Sequence, residues 1–285
     1  LAGLRAGANE IGLAAQERGR LQHIDHGRYR RDFVQLMHVG QDGHADLALH
    51  LREDLEALLH AHATKRLAGT AVRLVVACLE HPAQPQIISE IHEKYLDAGA
   101  DIVETNTFGA NFANLAEYGI EDRIYELAYA GGVIAREAAD AFTTPDKPRF
   151  VLGSLGPGTK LPSLGHTTYA HLKDAYEIAA KGLVDSGSDA LLVETTQDLL
   201  QAKAAVNGAR AAIDKSDRDV LLIAQVTVET TGTMLLGSEI GAALNALEPL
   251  NIDLIGLNCA TGPAEMSEHL RYLSKRSEER RVGKE

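Results

Sequence analysis

A cysteine closes a short apolar run near the carboxyl end of the sequence. Cys259 follows Asn258 in "IDLIGLNCA", residues 252–260, and a Gly-Pro turn comes directly afterwards. A thiol at such a position serves as a small apolar side chain, as a nucleophile or as a metal ligand. The chain has only one other cysteine, Cys78, so a metal site would need its remaining ligands from elsewhere.

Two glutamates stand at the ends of apolar runs in nearly the same context. Glu104 lies in "VETN" and Glu194 in "VETT". Carboxylates are rarely buried without a partner, so either one could bind a ligand ammonium group or act as an acid or base. Other polar residues end the same runs, and for each of them a purely structural role in bonding loop backbone stays equally open: Thr105, Asn106, Thr107, Ser154, Thr195, Gln197, Gln225, Thr227 and Glu229.

The elements that would position these residues form a regular series. Five short apolar runs begin near residues 101, 149, 189, 220 and 252, and long amphipathic segments separate them. Near-continuous apolar runs are typical of strands covered on both faces, and the spacing leaves room for a crossover helix. The pattern favours a (β/α)8 barrel or a doubly wound sheet, in which chemistry collects at the carboxyl ends of the strands.

Composition limits the classes of partner. The net charge of -12 argues against nucleic acid or an anionic membrane as the main partner, because both are bound through clustered Lys and Arg. No glycine-rich phosphate loop follows a strand, no apolar run has the roughly 18 residues of a membrane span, and the first residues do not resemble a signal peptide. We therefore expect a small-molecule substrate and a cytoplasmic location.

Five motifs carry a resemblance to a known family. They are "AGADIVETNTFGAN", "GSLGPGTKLPSLGHTTY", "LLVETTQDLLQAKAA", "VTVETTGTMLLG" and "IGLNCATGPAEMSEHLRYLS". In order and spacing they resemble the homocysteine-binding module of cobalamin-dependent methionine synthases, over about residues 86–274. The resemblance implies an α/β fold of the (β/α)8 TIM-barrel type, incomplete here because only about strands 2 to 6 are recognisable.

The resemblance also implies a chemistry. Such modules hold Zn²⁺ through three cysteine thiolates, one ending the sixth strand and an adjacent pair near the eighth, and the homocysteine sulfur is the fourth ligand. Zinc stabilises a thiolate near neutral pH, and this thiolate accepts a methyl group from methylcobalamin on a separate module. The resemblance implies Cys259 as the first zinc ligand. The implied substrate-binding residues are Glu194, for the homocysteine amino group, Glu104, Thr105, Asn106 and Thr107 at the barrel mouth, and Asn258 directly before the zinc cysteine.

Three segments are predicted from the extent of the resemblance. Residues 1–81 do not align with the family, and we interpret them as an unassigned segment, either foreign or misframed; their histidines lack ligand-like spacing. Residues 82–275 form the partial homocysteine-binding barrel. The decapeptide "RSEERRVGKE", residues 276–285, is a charged tail that we interpret as a sequencing artefact or an ordinary solvated terminus.

Two classes of function stay open at this level. The first is the homocysteine S-methyltransferase module of a methionine synthase, with cobalamin and methyltetrahydrofolate on companion modules. Relatives that use betaine or S-methylmethionine share the barrel, and "GPGTKLPSLGH" favours the cobalamin type. The second is an inactive barrel fragment, because one thiolate does not make a three-ligand zinc site. We accordingly expect this chain itself to bind zinc weakly and to show negligible methyl transfer.

Overall fold

A computed structural model describes the chain from residue 85 to residue 282, with side-chain surroundings for all of these except residues 263 and 277–282. The predicted unassigned segment, residues 1–81, lies outside this range, and so does Cys78. Within residues 85–282, no helix combines the length and the apolar character needed to cross a bilayer.

Helices and strands alternate along the described chain. The strands are β1 (Ile102–Glu104), β2 (Phe150–Leu155), β3 (Ala190–Thr196), β4 (Leu221–Val226) and β5 (Leu254–Leu257). The helices are α1 (Pro85–Asp97), α2 (Phe112–Ala116), α3 (Ile124–Phe142), α4 (Tyr169–Asp185), α5 (Leu199–Asp214), α6 (Ile240–Leu247) and α7 (Pro263–Val282). Short 3-10 turns occupy Glu121–Arg123, Pro162–Leu164 and Glu248–Leu250.

The five strands form one sheet whose spatial order equals their order in sequence, β1-β2-β3-β4-β5. The pairs β1/β2, β3/β4 and β4/β5 are parallel. A doubly wound sheet reverses its strand order at a switch point, and the order observed here does not reverse. The predicted α/β fold is therefore confirmed, as a parallel five-stranded sheet with helices around it that is consistent with a partial TIM-type barrel.

Burial of the strands explains their composition. Every residue of β2 is buried, and β3 and β4 each have only one residue that is partly exposed. Strands covered on both faces need apolar residues at nearly every position, which is why the sequence shows continuous runs rather than alternation. All four residues of β5 are instead half-buried, so this strand is the less covered end of the described sheet.

The chain divides into two compact units. Among the described residues, the first comprises 85–106 and Val133–Leu152, and the second comprises Thr107–Gly132 and 153–282. The described core of the first unit contains Leu96, Val103 and Val151, together with alanines of α3. Small residues on α3 let the helix lie close to β1 and β2.

A buried arginine bonds the backbone directly before β1 in the first unit. Arg149, directly before β2, donates hydrogen bonds to the carbonyls of Gly99 and Ala100 and faces the Asp101 carboxylate at 3.4 Å. Burial lowers the pKa of the Arg149 guanidinium, while the nearby Asp101 charge acts in the opposite direction. The arginine thus satisfies backbone oxygens where β1 begins.

Helix packing in the second unit depends on glycine. A Cβ placed on Gly208 of α5 would lie 2.5 Å from the carbonyl oxygen of Lys173 and 2.9 Å from the amide nitrogen of Glu177, both in the backbone of α4. A Cβ on Gly182 of α4 would lie 2.7 Å from the carbonyl oxygen of Tyr125 in α3. The helices approach one another so closely that only a residue without Cβ fits at these positions.

The last helix continues into the charged decapeptide. Helix α7 runs through Val282, so the backbone of residues 276–282 is helical. The sequence there consists mainly of Arg, Glu and Ser, and the long charged residues are good helix formers that need no apolar face to extend a helix already begun. The interpretation of this tail as a sequencing artefact stays a prediction.

Candidate functional site

A buried carboxylate marks the end of β3. Glu194 is only 9% exposed. Its Oε1 accepts a hydrogen bond from Ser154 Oγ at 2.5 Å, and its Oε2 accepts from Asn258 Nδ2 at 3.4 Å and from Thr195 Oγ1 at 3.4 Å. All of these donors are neutral, and in the described ranges no Lys, Arg or His forms an ion pair with Glu194. The carboxylate is thus held in place without its charge being compensated.

An amide at the end of β5 links this carboxylate to a neighbouring strand. Asn258 Nδ2 donates to Thr195 Oγ1 at 2.7 Å, and Asn258 Oδ1 accepts from the backbone N–H of Thr195 at 3.0 Å. One side chain therefore bonds both the hydroxyl and the backbone of Thr195. We call this pair, Asn258 and Thr195, the amide clamp.

The thiol of Cys259 lies beside the amide clamp. Cys259 is exposed and forms no disulfide, and its Sγ is 3.8 Å from Thr195 Oγ1. The same hydroxyl is within 3.4 Å of the Glu194 carboxylate. Thr195 therefore lies between a carboxylate that can bind a cation and a sulfur that can bind a metal or react.

The backbone of the site is strained. Thr195, Cys259 and Ala260 have φ angles of 57°, 59° and 56°, in the left-handed region that residues with a Cβ rarely adopt. The β3/β4 register shifts between Val193 and Thr196, so the irregularity coincides with the clamped residue. A β-branched residue in this region costs about 1–3 kcal/mol, and it persists because surrounding contacts hold it there.

A second layer supports the carboxylate from β2. Ser154, which donates to Glu194, is completely buried in the middle of an apolar strand. Thr107 donates from Oγ1 to the backbone carbonyl of Ser154 at 2.7 Å, and both threonine and serine are buried. Thr107 therefore fixes the strand that carries the serine, and it does so through a bond that occupies its hydroxyl proton.

The loop between β2 and α4 is anchored to the start of α5. Asp198 caps α5 by accepting from the backbone N–H of Leu200 at 2.9 Å, and it also accepts from Ser163 N at 3.0 Å and Ser163 Oγ at 2.6 Å. Gln201, fully buried, donates from Nε2 to the carbonyls of Pro157 at 2.8 Å and Lys160 at 3.3 Å. We call residues 156–168 the anchored loop, because Asp198 and Gln201 hold it at Pro157, Lys160 and Ser163.

Three of the predicted site residues belong to the first unit. Glu104 ends β1 and is exposed, whereas Thr105 is buried and donates its backbone N–H to the carbonyl of Leu152 at 2.9 Å. Asn106 is half-buried, and its Oδ1 is buried without a hydrogen-bond partner in the described part of the chain. The second unit brings together Glu194, Asn258 and Cys259.

The described residues do not make a metal site on their own. Cys259 is the single cysteine between residues 85 and 282, and that range contains no group of three His, Cys, Asp or Glu side chains placed to hold a metal ion. A structural or catalytic zinc needs at least three protein ligands. The Cys259 thiol could supply one of these three zinc ligands.

Sequence reasoning assigned no specific role to Ser154, Thr195, Asp198 or Gln201. The first two appeared only among the polar strand ends. For Ser154 a signal exists, because a hydroxyl inside a strand that is buried at all six positions needs a partner. The anchoring roles of Asp198 and Gln201 depend on contacts between residues more than 30 positions apart, and the local sequence does not contain that information.

Comparisons with known proteins bear on the family. A sequence model described as homocysteine S-methyltransferase matches residues 49–283. The methionine synthases of Mycobacterium tuberculosis and Mycobacterium leprae are each 63% identical to this chain over 192 residues, which is 67% of the chain, while the chain spans 16% of the length of each of these relatives.

A solved structure shares the fold. The homocysteine methyltransferase MmuM from Escherichia coli, in its apo form, superposes with a TM-score of 0.55 at 20% sequence identity, covering 70% of each chain. This similarity supports the barrel-type architecture alone. The match to the homocysteine S-methyltransferase sequence model, residues 49–283, contains β1 to β5, Glu194 and Cys259. The chain therefore belongs to the homocysteine S-methyltransferase family.

Proposed function

We propose that this chain is the homocysteine-binding module of a methionine synthase, the part that holds the methyl acceptor. The observation that carries the proposal is Glu194, a buried carboxylate held by neutral donors and placed beside the thiol of Cys259. The identity of 63% with two methionine synthases supports the assignment to this type of enzyme.

The carboxylate suits the amino group of homocysteine. A buried anion without a cationic partner is costly, and a ligand ammonium would compensate its charge in a site of low dielectric constant. Ser154 and the amide clamp fix the orientation of both carboxylate oxygens before the ligand arrives. Glu194 would therefore bind the amino group and leave the ligand's side chain directed along the strand ends.

The thiol side of the site would receive the sulfur of homocysteine. We propose Cys259 as one ligand of the zinc ion that the family resemblance implies. The other thiolates of such a set are not supplied by residues 85–282, so we assign no step of the reaction to a metal held by these residues alone.

The mouth residues stay proposals as well. We propose Glu104, Thr105, Asn106 and Thr107 as substrate-binding residues, as the family resemblance implies; Thr107 also supports Ser154. We propose methylcobalamin, delivered by a companion module of the longer protein, as the methyl donor. We propose methyltetrahydrofolate, on another companion module, as the earlier donor. Betaine or S-methylmethionine as donor, and an inactive fragment, are the alternatives.

Ligand discrimination tests the proposal. We expect the purified chain to bind homocysteine at least tenfold more tightly than 4-sulfanylbutanoate, which lacks only the amino group, because no cationic side chain among residues 85–276 pairs with Glu194. Isothermal titration calorimetry with both ligands, under reducing conditions, measures the two dissociation constants. Equal affinity for the two ligands would remove the basis for assigning Glu194 to the amino group.

Zinc affinity is expected to be low. The chain contains two cysteines in total, so three thiolate ligands are not available within it. In competition with a chromophoric chelator of nanomolar affinity, the chelator should retain the zinc, and Cys259→Ser should change the titration little. Stoichiometric binding that withstands the chelator, and that Cys259→Ser abolishes, would contradict this expectation.

A further inference from the structure

We infer that Asn258 is a positioning residue: its side-chain amide orients Glu194 and Thr195 for the ligand and does not itself contact the ligand. This inference rests on the proposed function, since it concerns how the carboxylate that would receive the amino group is held. It differs from the role of Asn258 as a substrate contact that the family resemblance implies.

The hydrogen bonds of Asn258 carry the inference. A side-chain amide offers two N–H donors and two acceptor lone pairs. Nδ2 donates to Thr195 Oγ1 at 2.7 Å and to Glu194 Oε2 at 3.4 Å, and Oδ1 accepts from Thr195 N at 3.0 Å and from Thr227 Oγ1 at 3.4 Å. All four positions of the amide have partners within the protein, so a ligand would have to displace one of them.

The two shortest hydrogen bonds of the Asn258 amide hold the backbone conformation of Thr195. Both go to Thr195, one to its backbone and one to its hydroxyl, and this residue has a φ of 57°. A β-branched residue leaves the left-handed region unless its surroundings oppose the change. The amide clamp therefore maintains the backbone conformation that keeps the Thr195 hydroxyl between Glu194 and Cys259.

The position of Asn258 in the sequence adds a second connection. It is the residue directly before Cys259, so the clamp fixes the end of β5 from which the thiol projects. The strand that carries the carboxylate and the strand that carries the thiol are not neighbours in the sheet, because β4 lies between them. One amide thus joins the two chemical groups of the site across an intervening strand.

Ligand discrimination separates positioning from a merely structural role. We expect Asn258→Ala to reduce the preference for homocysteine over 4-sulfanylbutanoate by about tenfold while the affinity for 4-sulfanylbutanoate changes less than twofold. A general loss of structure would weaken both ligands equally. Asn207→Ala is the matched control, because Asn207 Nδ2 donates to Tyr169 Oη at 2.6 Å in the helical layer, and it should leave the preference unchanged.

Amide hydrogen exchange tests the clamp without a ligand. In Asn258→Ala the N–H of Thr195 should exchange at least tenfold faster than in the unmodified chain. The N–H of Phe150, bonded to the carbonyl of Asp101 at 2.9 Å in the first unit, serves as the internal reference and should not change.

The outcomes distinguish this inference from the proposed function. If Glu194→Gln removes the preference for homocysteine and Asn258→Ala does not, the positioning role is wrong and the proposed function stands. If Glu194→Gln leaves the preference intact, the proposed function fails. If the chain binds neither ligand, the exchange measurement decides: equal Thr195 exchange in the unmodified chain and in Asn258→Ala overturns the inference, and selective acceleration at Thr195 supports it.

Discussion

Glu194→Gln is expected to raise the dissociation constant for homocysteine about a hundredfold. The substitution keeps the shape of the side chain and an oxygen that can accept from Ser154, but it removes the negative charge. Loss of one partner from a desolvated charge pair costs about 2–5 kcal/mol, and about 3 kcal/mol corresponds to two orders of magnitude in affinity. Titration calorimetry with homocysteine measures the change directly.

The matched control for this variant is Glu268→Gln on α7. Glu268 is exposed, so removing its charge alters the net charge of the chain equally without touching the site. It should leave the dissociation constant unchanged within about twofold, since surface charges are screened by salt. Affinity of Glu194→Gln within threefold of the unmodified chain would show that the carboxylate does not meet the amino group.

Gly208→Ala is expected to destabilise the second unit strongly. The new Cβ would lie 2.5 Å from the Lys173 carbonyl oxygen and 2.9 Å from the Glu177 amide nitrogen, and backbone atoms inside a helix cannot move individually. Separating α4 from α5 costs about 1–3 kcal/mol or more, which exceeds the gain of up to about 1 kcal/mol from the better helix propensity of alanine. We expect the midpoint of thermal unfolding to fall by about 5–10 °C, measured by circular dichroism at 222 nm.

Gly262→Ala is the control for overpacking. Its Cβ would approach only Glu265 Oε2, at 3.0 Å, and that atom is the free end of a flexible exposed side chain. The unfolding midpoint of this variant should stay within about 2 °C of the unmodified chain. A Gly208→Ala chain as stable as the control would mean that α4 and α5 do not pack as closely as described.

The central strands of the sheet were predictable because β2, β3 and β4 are buried on both faces. The apolar runs near residues 149, 189 and 220 coincide with β2, β3 and β4, and helices occupy the amphipathic segments between them. Helix α2 was not predicted, because five residues are too few for a helical hydrophobic pattern to repeat. The helical backbone of residues 276–282 was also missed, since charged helix formers without an apolar stripe resemble a solvated coil.

The site was predictable in its residue types and only partly in its geometry. Glu194 and Cys259 ended apolar runs, and parallel strands bring such ends to one edge of a sheet. The left-handed conformation of Thr195 has no local signal, because threonine is among the residues least suited to it. The amide clamp joins residues 63 positions apart in the sequence, so only the folded sheet reveals it.

The anchored loop has a consequence for the kinetics of binding. Asp198 and Gln201 bond the loop at Ser163, Pro157 and Lys160 through contacts within the chain. A loop that is already ordered loses little conformational entropy when a small molecule arrives, and no slow closure step of this segment precedes association. Diffusion to the strand ends, rather than rearrangement of the anchored loop, would then limit how fast the amino acid is captured.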